Sequence, residues 1–145
     1  MMNDIFTCDT EAEYLENKYD IHALNKLGRN ALFTCSLEKT KWLVKHGIDI
    51  NILDYNSRNV MMNIPSNQLD KAYYLISIGI DLSLFISHPE KLILGNIRSG
   101  PVSKVIQEHI LKHFRIMAEN EKKMINKSLI LDNKKAGAFL KKKRL

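Results

Sequence analysis

WLVKHGIDINILDYNSRNVMM, running from Trp42 to Met62, is the stretch on which the fold turns, because both of its flanks repeat it. Upstream, DIHALNKLGRNALF (Asp20 to Phe33) aligns with DINILDYNSRNVMM (Asp49 to Met62) at an offset of 29. Asp20 falls on Asp49, Ile21 on Ile50, Leu24 on Leu53, Asn25 on Asp54, Arg29 on Arg58 and Asn30 on Asn59. Downstream, YLISIGIDLS (Tyr74 to Ser83) aligns with WLVKHGIDIN (Trp42 to Asn51) at an offset of 32. An internal period of this size implies stacked supersecondary units, none able to bury its apolar face alone.

Local signals place turns and helices inside that period. Thr10 followed by Glu13 has the spacing of a capping box and predicts a short helix from about Thr10 to Lys18, half a unit that closes the N-terminal end. Asn25-Lys26-Leu27-Gly28 reads as a turn with glycine at the position of positive φ. A first helix is then expected over Asn30–Leu37 and a second over Glu38–His46, stopped by Gly47 in the left-handed region with Ile48 beyond it. The next unit repeats this: turn at Asp54–Ser57, helix from Asn59, break at Pro65-Ser66-Asn67, helix over Leu69–Ile78, stop at Gly79. Trp42, Leu43, Ile48 and Ile50 are the expected shared core.

Past Gly79 the repeat departs from its template. Ser87 with Glu90 is a second capping-box spacing, which predicts a helix to about Ile97, broken by Arg98-Ser99-Gly100-Pro101. Val102, Val105, Ile106, Ile110, Phe114 and Met117 then recur at three- and four-residue steps, predicting a long helix to roughly Lys123 with one buried face. Residues 1–123 are thus expected to form one all-α domain, and 124–145 an extension with a mobile tail.

Composition narrows the function classes. The chain of 145 residues has 45% hydrophobic and 26% charged side chains, ordinary for a folded protein. No apolar run reaches the roughly 18 residues that cross a bilayer, and the acidic N-terminus is unlike a secretory signal, so a cytoplasmic location and no membrane partner are expected. Cys8 and Cys35 are expected to be buried thiols. The net charge of +6 is a property of the tail: removing the six basic residues of KKAGAFLKKKRL (134–145) from the total of 22 leaves 16, equal to the 16 acidic ones. That tail has three readings, a phosphate contact, a nuclear import signal or a solubilising end.

No constellation of residues argues for catalysis. His109 and His113 stand at i and i+4 but lack a third ligand, and Glu108 is not between them as a zinc-protease signature requires. The six glycines are scattered at turns, so no phosphate-cradling loop is present. The chain is expected to be no enzyme, with no cofactor and no metal.

The turn-helix-helix units resemble the ankyrin-repeat family, whose consensus runs D-x-x-G-x-T-P-L-H-x-A-A and then L-L-x-x-G-A-D-V-N. Asn25, Gly28, Asn30, Ala31, Leu32 and Phe33 occupy the first block, and Trp42 through Asn51 the second; in the next repeat Asp54, Ser57, Asn59, Val60, Met61 and Met62 take the same places. Thr-Pro is replaced by Asn30-Ala31 and Asn59-Val60, and the histidine by Phe33 and Met62. The first repeat is also shorter, by about four residues, than the family's period of roughly 33, with the deletion between its two helices. The resemblance implies an ankyrin-like solenoid with an N-terminal half repeat and a long C-terminal capping helix. It implies further that the fingers between repeats bind other proteins. The matching positions are Lys26, Leu27 and Arg29 in one finger and Tyr55, Asn56 and Arg58 in the next; tyrosine and arginine are common anchors of interfaces. The expected partner is one folded protein, with nucleic acid disfavoured and the chain a monomer on its own. By analogy with short bacterial and phage members, a toxin-neutralising immunity protein or inhibitor is the narrower expectation. A delivered effector or nucleic-acid-associated adaptor using the basic tail is the alternative.

Overall fold

A computed structural model describes residues 3–92 and 97–143, with side chains described at 3–92, 97–131 and 134. The chain divides into two units, Met1–Gln107 and Glu108–Leu145. Among the described residues the structure is all-helical, with no strand. The α-helices described are α1 (Glu11–Asn17), α2 (Leu37–Lys45), α3 (Leu69–Ser77), α4 (Ser83–Ser87) and α5 (Gly100–Lys143). Short 3₁₀ turns stand at Ala31–Phe33, Val60–Asn63, Ser66–Gln68 and Pro89–Leu92.

In the first unit the repeats seen in the sequence are repeats of hydrogen bonding. α2 ends with Gly47 at φ 88°, its amide donating to Val44 O (3.0 Å) and the Ile48 amide to Leu43 O (3.1 Å). α3 ends identically, with Gly79 at φ 92° donating to Ile76 O (3.1 Å) and Ile80 to Leu75 O (3.0 Å). This is the Schellman closure, which satisfies carbonyls that a helix end would leave bare. Asp49 and Asp81 follow these stops and Asp20 follows the end of α1; the carboxylate of each accepts the amide two positions on, at Asn51 (2.9 Å), Ser83 (2.8 Å) and His22 (2.9 Å).

The first helix of each repeat is shorter than expected. Asn30–Leu37 holds one 3₁₀ turn, capped by Asn30 Oδ1 accepting the Leu32 amide at 3.2 Å. Ser36 is already extended (φ −67°, ψ 168°) to cap α2. In the second repeat Pro65 has no amide to donate, and Ile64 before it is extended (φ −72°, ψ 124°), which confines the helix to Val60–Asn63.

Two lysines tie successive repeats together. Lys39 of α2 and Lys71 of α3 occupy equivalent places at the repeat offset of 32, and both are buried. Lys71 Nζ donates to Leu32 O at 2.6 Å and Cys35 O at 2.8 Å, carbonyls within and just past the preceding repeat's 3₁₀ turn. Lys39 Nζ donates to Ile5 O at 2.6 Å and Phe6 O at 3.4 Å. Burial lowers the Lys71 ammonium pKa from its usual range, with Cys35 opposing. An ammonium out of water is tolerable only where its donors are met, and backbone carbonyls meet them here.

The N-terminal segment therefore holds more of a repeat than the half unit expected of it. Ile5-Phe6-Thr7-Cys8 takes the place of Leu32-Phe33-Thr34-Cys35, and Ile5 and Cys8 are buried like their counterparts. Lys18, left-handed at φ 50°, ends α1 where glycine ends α2 and α3. The capping box is half made: Thr10 Oγ1 accepts the Glu13 amide (3.2 Å), while the Glu13 carboxylate accepts from Asn3 (3.1 Å). Tyr14 packs on Trp42 (5.4 Å between centroids) and His46 (5.1 Å), and Leu15 is exposed.

The expected core is found at Trp42, Leu43 and Ile48, whereas Ile50 is half-buried. Cys8 and Cys35 are buried and unpaired by any disulfide. Ser87 closes α4 rather than opening a helix, its hydroxyl donating back to Ser83 O (3.1 Å); the predicted helix beyond Leu92 falls on 93–96, outside the described residues. Val102, Val105 and Ile106 are buried as the apolar stripe predicts. Phe114 and Met117 are exposed, because α5 is the single element among the described residues of the second unit and nothing there covers them. Its backbone stays helical past Lys123 to Lys143, through the stretch expected to be mobile. No glycine or proline interrupts it between Val102 and Ala136.

Candidate functional site

The two turns expected to form fingers are built by one device. Asn25 Oδ1 accepts the amides of Leu27 (2.9 Å) and Arg29 (3.1 Å), and Asp54 Oδ1 accepts those of Asn56 (2.8 Å) and Arg58 (3.0 Å). In each turn the first residue's amide donates to the fifth residue's carbonyl at 2.9 Å. The fourth residue is left-handed in both, Gly28 at φ 77° and Ser57 at φ 59°. A short acceptor side chain that satisfies two amides holds the loop without help from a strand.

The turns are also joined to each other. The Tyr55 amide donates to Leu27 O at 2.9 Å, and Arg29 Nε donates to Asp54 Oδ2 at 2.9 Å. The Tyr55 ring lies over Gly28 so closely that a Cβ there would be 2.5 Å from Tyr55 Cδ1. Asp54 has no exposed side-chain surface. Burial pushes its carboxyl up, but the amides of Arg58 and Asn56 and the Arg29 guanidinium outweigh burial, so its pKa lies below the ordinary carboxylate range.

The six candidate residues therefore divide. Lys26, Leu27, Tyr55 and Asn56 are exposed, Tyr55 at 74% of its surface. Arg29 faces inward: its guanidinium is paired with Asp54 and lies 5.4 Å from the Phe33 ring centroid, and its side chain is 17% exposed. Arg58 is half-buried. Sequence reading missed that Leu24 and Leu53, one residue before each turn, are exposed leucines at equivalent places. The signal was present in their alignment at an offset of 29. Beside Leu53 a cleft is lined by Asn59, Ile80, Asp81, Leu84 and His88.

Among the described residues no group of three His, Cys, Asp or Glu stands where it could hold a metal ion. Glu11 accepts from His46 Nε2 (2.9 Å) and Lys45 Nζ (3.2 Å); the His46 and then the Lys45 hydrogen bond hold its carboxyl below the usual range. This group joins α1 to α2. Compared with family models, curated proteins and solved structures, the chain matches none of them.

Proposed function

We propose that the first unit is an ankyrin-type array whose joined fingers bind one folded protein partner, without catalysis. The supporting observation is a rigid, outward finger face: Leu24, Leu27, Leu53 and Tyr55 hold apolar surface in water on turns whose own side chains cap the backbone. Exposed aromatic and aliphatic groups on a preorganised scaffold lose little conformational entropy on binding. Lys26 and Asn56 supply a polar rim, and the cleft beside Leu53 offers a place for one anchoring side chain of the partner. Arg29 serves the reading indirectly, by fixing the second turn against the first. An array this short fits an interface of standard size, about 800 Å² per side.

Neutralisation of a toxin or inhibition of an enzyme is the narrower form of the proposal, in which covering a partner's site is the whole activity. The test is capture of partners from the native host with the full chain, beside the double variant Leu27→Ser, Tyr55→Ala. The wild type should recover one protein in stoichiometric amount, and the variant should weaken that binding at least tenfold with its melting temperature nearly unchanged. Undiminished capture by the variant, or no stoichiometric protein at all, would sink the reading.

A further inference from the structure

Residues 108–143 form a helix about 54 Å long at 1.5 Å per residue, a single element in its unit. Leu111, Phe114, Met117, Met124, Ile125 and Leu129 are all exposed. At 100° per residue they fall, with Ile110, in one sector about 140° wide. Lys112, Arg115, Lys122, Lys123 and Lys127 fall in the opposite sector, two of them near its margins. The division has exceptions: Glu121 and Ser128 interrupt the apolar sector, Ile116, Ile130 and Leu131 lie outside it, and the acids Glu108 and Glu119 fall among the basic residues. The basic residues from Lys134 to Lys143 continue this helix along the chain. Residues 108–145 hold 11 of the 22 basic side chains and four of the 16 acidic ones, a net of +7, which leaves −1 on residues 1–107.

From this combination we infer that residues 108–131 form a docking face for an anionic lipid surface, lying in its plane with the basic tail against the headgroups. Charge decides among the occupants. A second copy would set +7 beside +7. A nucleic acid would meet the lysines but leave six large apolar side chains in water. An anionic bilayer surface is flat over the whole length of the helix, takes the apolar sector below its headgroups and lets lysine stems reach back to the phosphates. Insertion of one apolar face plus a basic cluster supplies the two signals that stable surface attachment requires. Among the described residues no helix is long and apolar enough to cross a membrane. The expectation of no membrane partner rested on that crossing requirement, which lying in the surface does not share.

Co-sedimentation of the full chain with vesicles tests the inference, comparing phosphatidylcholine alone with an equal mixture of phosphatidylcholine and phosphatidylglycerol. Binding to the mixed vesicles should exceed binding to the neutral ones at least tenfold. The triple variant Leu111→Gln, Phe114→Gln, Ile125→Gln should lose it, while Trp42 fluorescence reports an unchanged first unit. Each of Lys122→Gln and Lys123→Gln should weaken it by up to about fivefold. Glu121→Gln, which removes a carboxylate from the apolar sector, should strengthen it. The inference is overturned if neutral and anionic vesicles bind alike or not at all, or if the triple variant binds as tightly as the wild type. It is likewise overturned if the lipid-free chain sediments as a stable dimer that buries this face. None of these outcomes touches the finger face, which is assayed in lipid-free capture.

Discussion

Asn25–Arg29 and Asp54–Arg58 are one turn built twice, and the two differ at the residues that do the building. In both, an acidic or amide oxygen accepts two amides and a left-handed residue follows three positions later. Asn25 is exposed and neutral, whereas Asp54 is buried, charged and paired with Arg29 of the turn before it. The left-handed place is Gly28 in one and Ser57 in the other. The Asn25 carboxamide serves its own loop, whereas the Asp54 carboxylate caps its loop and also takes the guanidinium of the turn before it. The carboxylate at Asp54 does both, and the glycine at Gly28 leaves room for the Tyr55 ring.

Substitutions at these positions separate the two duties. Asp54→Ala should cost most, about 3 kcal/mol, because it uncaps two amides and strands a half-buried guanidinium at once; chemical denaturation measures it. Gly28→Ala should cost about 2 kcal/mol, since a Cβ at positive φ is strained and meets the Tyr55 ring. A Gly28→Ala protein that loses only about 1 kcal/mol, the left-handed strain alone, would show that the ring is not held where it lies. Asp54→Asn installs the first turn's residue in the second, keeps the caps and removes the charge, and should cost about 1–2 kcal/mol.

The same variant isolates the pH dependence. A carboxyl whose folded pKa lies below its unfolded value contributes stability that is fully present above the ordinary carboxylate range. That contribution is lost as pH falls through the range toward the folded pKa. Wild type should therefore lose more stability than Asp54→Asn between about pH 5 and pH 2, as thermal melts across that window would show. Asn25→Ala should cost about 1 kcal/mol, the value of a cap with no partner behind it. Ser57→Gly should stabilise by about 0.5 kcal/mol by relieving the left-handed backbone; a melting temperature that falls would mean the serine hydroxyl has a role of its own.

Much of this is legible in the sequence where the signal is local. The offset of 29 locates both turns, and glycine marks two helix stops because only a residue without Cβ enters that conformation freely. Arg29 misleads for a definite reason. A charged residue in a turn reads as solvated, but Arg29 has its acid 25 positions away, and only the stacking of turns brings them together. Lys39 and Lys71 give no local signal either, since the backbone carbonyls that accept from them lie 34 and 39 positions back along the chain. The capping signal at Thr10 draws the N-terminal boundary too late, although Phe6-Thr7-Cys8 repeats Phe33-Thr34-Cys35 letter for letter.

The sequence by itself determined where the chain turns, which residues stop its helices and that it repeats, because those are properties of φ, capping and apolar spacing over short stretches of chain. Tertiary structure alone decided which charges are bonded inside and which apolar groups remain in water. Arg29 and Tyr55 share one pair of turns, yet one is consumed in joining them and the other left exposed. Phe114 belongs to the same stripe as Ile106, yet only Ile106 is buried. Burial depends on what a second element brings alongside, and no spacing within one helix carries that information.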